Sequence, residues 1–546
     1  MEPCLLAFET SRLRLRRRKS SRDPVVGLER DGDSSGCFSE AFRRRVSGWL
    51  GFGGFPAPRG RVPPGDRRWG RSGGNRAATP WAQDRRTCGP TAGASGFCRS
   101  PALRSAVAFC GSQPHYFQNA KFMKQINRRN FLGAATVGVM AAPVVLRGAA
   151  AEKIKLGLIG CGWYGMVDVE AAFKVGGVEV TALCDVDSDH LQKSAEKIEK
   201  RQGLKPKTFK DYRELLALPG LQAVIIATPP QWHALPFIEA LDKKLDVYCE
   251  KPLAYEPREG RAMVNAAKKS KQVVQIGFQR RQSRAIQQAR QYVQEGKAGR
   301  IAQVEAQIFY TAGIKDTTPQ DPPASLDWDW WCGPAPKLPY CPQIGHFAWR
   351  LEKEYGNGHL VDWGIHLIDA VRWTLKAATP LTVQAAGGIY HLKNKITTPD
   401  ILVAHFDFAQ CPVTWRHHLW GAAEYHPETQ NGIFFYGEKE TVFVTDHQWT
   451  VVSRDPKAPR KVNEIKTDMA TLHMQDFLTC VRNRQQPLCQ PEDAFNSTTT
   501  VQLGMIAYQA GAKITWDAAT EQIAGNPQAN QMLKRDYRQP WVHPYA

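Results

Sequence analysis

Lys155-Leu156-Gly157-Leu158-Ile159-Gly160-Cys161-Gly162-Trp163-Tyr164-Gly165 reads as a buried strand, a glycine turn and the first turn of a helix. The run up to Gly160 is apolar without alternation, as in a strand covered on both faces of a parallel sheet. In the Gly-x-Gly-x-x-Gly after it, Gly160 permits the tight turn, Gly162 lets backbone approach a pyrophosphate, and Gly165 lets helix meet strand. Cys161, Trp163 and Tyr164 lie within the same cradle. The helix start offers unpaired N–H groups to phosphate.

Further strands recur at helical intervals: Val178 to Cys184, Ala223 to Thr228, Asp246 to Cys249 and Val273 to Gly277, with a helix from Arg258 to Ser270. Strands alternating with helices predict an α/β fold, here a Rossmann doubly wound parallel sheet over residues 152–280. Asp185 ends the second strand, where a carboxylate accepts from ribose hydroxyls and repels a 2′-phosphate. No Arg occurs between Val186 and His190, so NAD is favoured over NADP. The alternative is that Asp185 caps the helix starting near Ser188. Beyond Ser283 comes a helix from Arg284 to Glu295, ended by Gly296. Strands then dominate: Ile301 to Tyr310, Leu381 to Ile389, Ile401 to Phe408, Val413 to His418, Ile433 to Tyr436 and Thr441 to Thr445. They predict a C-terminal α/β domain with a large, mostly antiparallel open sheet over residues 281–546. Between Gly313 and Glu354 runs a segment rich in Pro, Trp and Asp, long enough to expect a functional loop. No internal repeat is evident.

The 546 residues are 42% hydrophobic and 23% charged, as in globular chains. The net charge of +20 is uneven: residues 1–122 hold 22 Lys and Arg against 9 Asp and Glu. A basic tail is no ground for nucleic-acid binding by the folded body, and none is expected. Residues 1–122 show no helical or strand period. They read as a disordered basic extension, a transit peptide included, or as lying upstream of a true start at Met123. The second reading rests on the residues after Met123: Asn127-Arg128-Arg129-Asn130-Phe131-Leu132, an apolar run from Gly133 to Leu146, and Ala149-Ala150-Ala151. This is the layout of a twin-arginine export signal over residues 123–151. With a start at Met123 the protein is expected to be periplasmic or secreted, otherwise cytoplasmic. The apolar run is too short to span a bilayer as a mature helix, and no integral membrane domain is expected. Thirteen Cys show no zinc spacing and no metal is expected; Cys332 and Cys341 flank a Pro-rich stretch and are the one candidate bridge.

Ala227-Thr228-Pro229-Pro230-x-x-His233 lies at the C-terminal end of a strand, where ligands bind in such sheets. Thr228, Pro229 and His233 are therefore cofactor candidates, with a structural role the alternative for His233. Glu250-Lys251-Pro252 ends the next strand at the same edge, beside where a dinucleotide ring would lie, so Glu250 and Lys251 are cofactor candidates as well. There the Lys251 ammonium can hydrogen-bond a substrate hydroxyl and stabilise a developing alkoxide, unless it is simply a solvated surface Lys. Asp362 and His366 are four apart, on one face of an α-helix. His366 can take a hydroxyl proton as hydride leaves, with Asp362 orienting the imidazole or binding a hydroxyl. Gln279, Arg280 and Arg281 come just after the fifth strand and either reach substrate or are exposed.

Together these residues resemble the Gfo/Idh/MocA oxidoreductases from about Ile154 onward. The stretch Gly358-His359-Leu360-Val361-Asp362-Trp363-Gly364-Ile365-His366 is very like that family's pattern. The resemblance implies that Lys251, Asp362 and His366 form the catalytic group. It also implies that the open sheet supports a homodimer or homotetramer. Leu326-Asp327-Trp328-Asp329-Trp330-Trp331 and His346-Phe347-Ala348-Trp349-Arg350 look like the family's exported branch. Trp331 is there a sugar-stacking candidate, the alternative being a packed loop. The expected activity is hydride transfer between a tightly bound NAD and a sugar, cyclitol or related polyol. Two other readings stay open: a redox-neutral NAD-dependent glycosidase, and a non-catalytic NAD-binding protein.

Overall fold

The computed structural model describes residues 152–545, apart from Phe347, Ala422 and Ala423. The basic extension and the expected export signal, residues 1–151, lie outside the described residues.

Six parallel strands form the first sheet: β1 (Ile154–Ile159), β2 (Val178–Cys184), β3 (Lys207–Phe209), β4 (Ala223–Ile226), β5 (Asp246–Glu250) and β6 (Val274–Gly277). Their order is β3-β2-β1-β4-β5-β6, so the winding reverses between β1 and β4. A crevice opens at the C-terminal ends of the strands at such a reversal. Five helices alternate with the strands: α1 (Trp163–Val175), α2 (Ser188–Gln202), α3 (Tyr212–Leu216), α4 (Ala234–Asp242) and α5 (Pro257–Lys269). Their starts differ in a telling way. The Asp187 side chain accepts from Asp189 N and His190 N and caps α2, whereas α1 begins after Gly162 with no side-chain cap. The N-terminal amides of α1 are thus left for another partner.

The second sheet has ten strands: β7 (Ile301–Ile308), β8 (Thr382–Gly388), β9 (Ile401–Asp407), β10 (Pro412–His418), β11 (Asn431–Gly437), β12 (Glu440–Val444), β13 (Gln448–Ser453), β14 (Lys461–Glu464), β15 (Ile514–Asp517) and β16 (Gln522–Ala524). Only β7 and β10 pair parallel; the other described pairings are antiparallel. Alternation fixes the faces. Leu402, Ala404 and Phe406 on β9, with Val413 and Trp415 on β10, turn into the core, and His405 and Arg416 turn out. Helices α6 (Arg284–Gln294) and α8 (Ile365–Leu375) lie near the inner face, and the short α7 (Trp328–Cys332) sits in the long segment between β7 and α8. The last long helices, α9 (Met469–Asn483) and α10 (Pro491–Ala510), return to the first sheet. Met474, Phe477 and Leu478 join the core of α1 and β1, and Phe495 packs on Gly260 and under the Arg261 guanidinium at 4.1 Å.

The halves are pinned by a buried charge network. Arg281, just past β6, forks onto Asp369 of α8 at 2.6 and 2.8 Å and meets Asp493 of α10 at 2.7 Å, and Ser497 donates to Asp369. All eight described cysteines are free and buried, Cys332 and Cys341 included; the Cys332 thiol lies 3.2 Å from the Tyr355 hydroxyl. Among the described residues no helix is long and apolar enough to cross a membrane.

Removing Asp369 strips the buried Arg281 of its bidentate partner and leaves it a single carboxylate contact, with Asp493. Asp369→Ala is expected to destabilise the fold by about 3–5 kcal/mol, read by urea or thermal unfolding. A loss under about 1 kcal/mol would show that Arg281 is solvated rather than pinned.

Candidate active site

The glycine turn is shaped by what its Cβ atoms would strike. Gly160 has φ +94° and a Cβ there would sit 2.7 Å from the Ala227 carbonyl oxygen. A Cβ on Gly165 would meet the Gly160 carbonyl oxygen at 2.1 Å, so only glycine lets α1 seat against β1. A Cβ on Gly162 would meet nothing within 4 Å, leaving open space before the uncapped helix. Trp163 is exposed there, edge-on to Tyr164. At the end of β4, Thr228 and Pro229 are half-buried, and the Thr228 hydroxyl is a buried polar atom with no partner among the described residues. Uncapped amides, missing Cβ atoms and an orphaned hydroxyl beside one crevice fit a dinucleotide.

Asp185 accepts from Cys161 N at 2.7 Å and from Asp187 N at 2.9 Å, tying the glycine turn to the β2–α2 loop. It is Asp187 that caps α2, so the helix-cap alternative for Asp185 is set aside. Cys161 differs from expectation. Its N–H is committed to Asp185 and its buried thiol points at the Cys184 carbonyl, so it anchors the turn rather than lining a phosphate cradle.

Lys251 lies at the end of β5 and is joined to Pro252 by a cis peptide bond. Its Nζ donates to the Asp362 main-chain oxygen at 2.7 Å and to Asp362 Oδ1 at 2.9 Å. An ammonium has three N–H groups, so one remains for a substrate hydroxyl. Asp362 lies in a π-helical turn, Leu360–Gly364, that widens the entry to α8, where the sequence predicts a plain α-helix. Such turns insert an extra residue and re-aim side chains, often at functional sites. Burial opposes the charge on Asp362, yet Lys251 and then Arg350 hold its carboxyl below the usual range. His366 sits in the first turn of α8, with Nδ1 buried and unpartnered among the described residues. Burial, then the positive charges of Arg280 and Lys251, push its imidazole well below the ordinary value. The group therefore contains a lysine with a spare donor, an ionised carboxylate and a neutral imidazole. Exposed Trp363 covers it, edge-on to His366 and under the Arg280 guanidinium, which is itself forked onto Asp446.

Other expected ligands turn out to be supports. Both ring nitrogens of fully buried His233 face carbonyls, Pro252 O and Thr228 O, each at 2.8 Å, so it ties the β4 and β5 ends together. Gln279 is buried and gives its Nε2 to Glu250 at 2.6 Å and to the Tyr248 hydroxyl at 3.0 Å. Glu250 faces inward, beside Asp168, and burial pushes its carboxyl up to about 7. Trp331 is buried, stacked on Trp328 at 4.6 Å and edge-on to Tyr355, and offers no face to a sugar. Arg281 is absorbed by its pairing with Asp369 and Asp493.

The segment from Gly313 to Glu354, expected to be a functional loop, runs as a strap across the first domain. Leu326 bridges Asp187, Asp327 pairs with Lys210, and the Trp330 and Trp331 carbonyls accept from Trp232 Nε1. His346 Nε2 then reaches Asp187 Oδ2 at 2.7 Å, against the His190 ring. Arg350 ends the strap with Nε 3.2 Å from Asp362 Oδ2. The sequence signals were the length of the segment and its run of Pro, Trp, Asp and Arg; which partners they meet depends on tertiary folding.

Two models of one family match this chain. One, described as an oxidoreductase family NAD-binding Rossmann fold, matches residues 154–278; the other, its C-terminal alpha/beta domain, matches residues 300–543. The chain belongs to the Gfo/Idh/MocA oxidoreductase family. It is 30% identical to an inositol 2-dehydrogenase of Salmonella typhimurium over 170 residues, 31% of this chain and 49% of that one. It is also 30% identical to an alpha-N-acetylgalactosaminidase of Shewanella oneidensis over 175 residues, 27% of this chain and 38% of that one. The chain thus spans half or less of the length of these curated relatives. Its fold is similar to that of a levoglucosan dehydrogenase solved with NADH and L-sorbose, at TM-score 0.54 and 17% identity, over 67% of this chain and 99% of that one.

A neutral His366 has a consequence for stability. Its folded pKa lies below the unfolded value of about 6.5, so acid favours the unfolded chain, which binds a proton the fold refuses. Its contribution is present above that value and is lost as pH falls. Burial drives His417 and His473 down to about 4, so they act in the same direction. The drop in Tm from about pH 7 to about pH 5 is expected to be smaller in His366→Gln than in the parent. Equal drops would mean that His366 is not held neutral.

Proposed function

We propose that this protein moves hydride between a tightly held NAD and a hydroxyl-bearing carbon of a sugar, cyclitol or related polyol. One observation carries the reading. Lys251 of the Rossmann half is bonded to Asp362 of the other half, four residues from a neutral His366, at the strand ends beside the glycine turn. A bound nicotinamide supplies the hydride acceptor. The α1 amides and Thr228 would hold the dinucleotide. Asp185, with no Arg between Val186 and His190, favours a free ribose 2′-hydroxyl and hence NAD over NADP. Lys251 donates its spare N–H to the substrate hydroxyl and stabilises negative charge developing there. His366 accepts the proton, and Asp362 fixes the ammonium. Tight retention of NAD is supported by the strap, which meets the β2–α2 loop at one end and Asp362 at the other.

A glycosidase relative favours a second reading: oxidation and re-reduction on the same NAD with hydrolysis as the net result. Export from Met123 and assembly through the open sheet into a dimer or tetramer belong to the same proposal.

Purified protein is expected to release about one equivalent of NAD on denaturation. Lys251→Ala and His366→Ala should each lower turnover of myo-inositol or levoglucosan by about 10²- to 10⁴-fold. Unchanged turnover in both variants would leave a non-catalytic NAD-binding protein. Turnover of a chromogenic α-N-acetylgalactosaminide without added NAD would select the glycosidase. His346→Ala, which cuts the strap from Asp187, should speed loss of bound nucleotide in a gel-filtration or dilution assay. An unaltered rate would remove the strap from retention.

A further inference from the structure

Arg350 enters the catalytic group from outside both sequence motifs. It lies in the short turn Ala348–Leu351, its guanidinium 4.5 Å over the Trp349 ring and its Nε 3.2 Å from Asp362 Oδ2. Lys251 takes the other carboxylate oxygen at 2.9 Å. Asp362 is therefore shared by two cations, one from β5 and one from the strap. On its own helical segment it is flanked by His359 and His366, both held neutral by burial. Arg280 lies across Trp363, paired to Asp446. Lys251 and Arg350 are thus the cations that keep this buried carboxylate ionised.

The division matters for Lys251. With Oδ2 unclaimed, a carboxylate turns both oxygens toward a single ammonium and draws in its remaining N–H. An arginine holds an oxygen with a rigid planar fork that a lysine lacks. We propose that Arg350 is a positioning residue. By holding Asp362 Oδ2 it leaves one Lys251 N–H for the substrate hydroxyl. Because Arg350 sits on the strap that docks at Asp187, the group is complete only when the strap is seated. The assignment of the spare N–H to a substrate hydroxyl rests on the proposed hydride transfer; the coupling of Arg350 to Asp362 does not.

The test is a double-mutant cycle in the full chain: R350Q, D362N, the pair, and R350K. Asp362 has its folded pKa lowered, so its share of stability is present above the unfolded value of about 3.9 and is lost as pH falls through the folded value. R350Q should raise that folded value. The Tm gap between parent and R350Q should then be full near neutrality and narrow below about pH 4. No narrowing gap is expected between D362N and the double variant. R350K, which keeps the charge, should behave as the parent in pH dependence. With a polyol that is turned over and NAD added to saturation, R350Q should lower kcat by at least about 10-fold, and R350K should recover part of it. A pH-independent gap, the same narrowing in the D362N background, or R350Q kcat within about twofold of the parent would overturn the proposal. If no polyol is turned over, the hydride-transfer reading fails, and the Tm cycle alone still decides the role of Arg350.

Discussion

The contact between the Lys251 ammonium and Asp362 is the constraint on which the site depends. It joins the end of β5 to the π-turn before α8, and both side chains are largely removed from water. Desolvating two charges costs more than their attraction returns unless geometry and further hydrogen bonds are good. Much of the surrounding structure meets that condition. His233 bridges Thr228 and Pro252 and ties the end of β4 to the backbone just after Lys251. Arg350 takes the second carboxylate oxygen, and the Arg281–Asp369–Asp493 network fixes α8 relative to the first sheet.

Electrostatics then divide the roles. Arg280 and Lys251 make the pocket positive, and a buried imidazole in a positive field stays neutral and able to accept a proton. Asp362, between two cations, stays ionised and serves as an acceptor of hydrogen bonds rather than a proton carrier. Behind them Glu250 and Asp168 lie close together without full compensation, and both carboxyls are raised, Asp168 first by its own burial and then by Glu250.

The fold was legible wherever period and punctuation agree. The doubly wound sheet could be read from apolar runs separated by helices, and β2 matches its expected limits, Val178 to Cys184. Of the misses, β3, β14 and β16 are short edge strands, where polar residues such as Lys207 and Lys461 are exposed and no apolar run marks a strand, and β13 and β15 lie one place in from such edges. At the site, Lys251, Asp362 and His366 were legible because motif spacing carries them. For His233 and Trp331 the structural alternative holds, and the Gln279 and Glu250 side chains turn inward, because sequence gives proximity to a crevice but not the direction of a side chain. Arg350 was invisible as a partner of Asp362, since only the path of the strap brings them together.

That path also joins two parts of the site that are far apart in sequence. Lifting the segment would break the Asp187–Leu326 bridge, the Trp232 contacts and the Asp187–His346 pair, and would withdraw Arg350 from Asp362. The seating of this segment on the β2–α2 loop and the orientation of the carboxylate that holds Lys251 are therefore one structural event, not two.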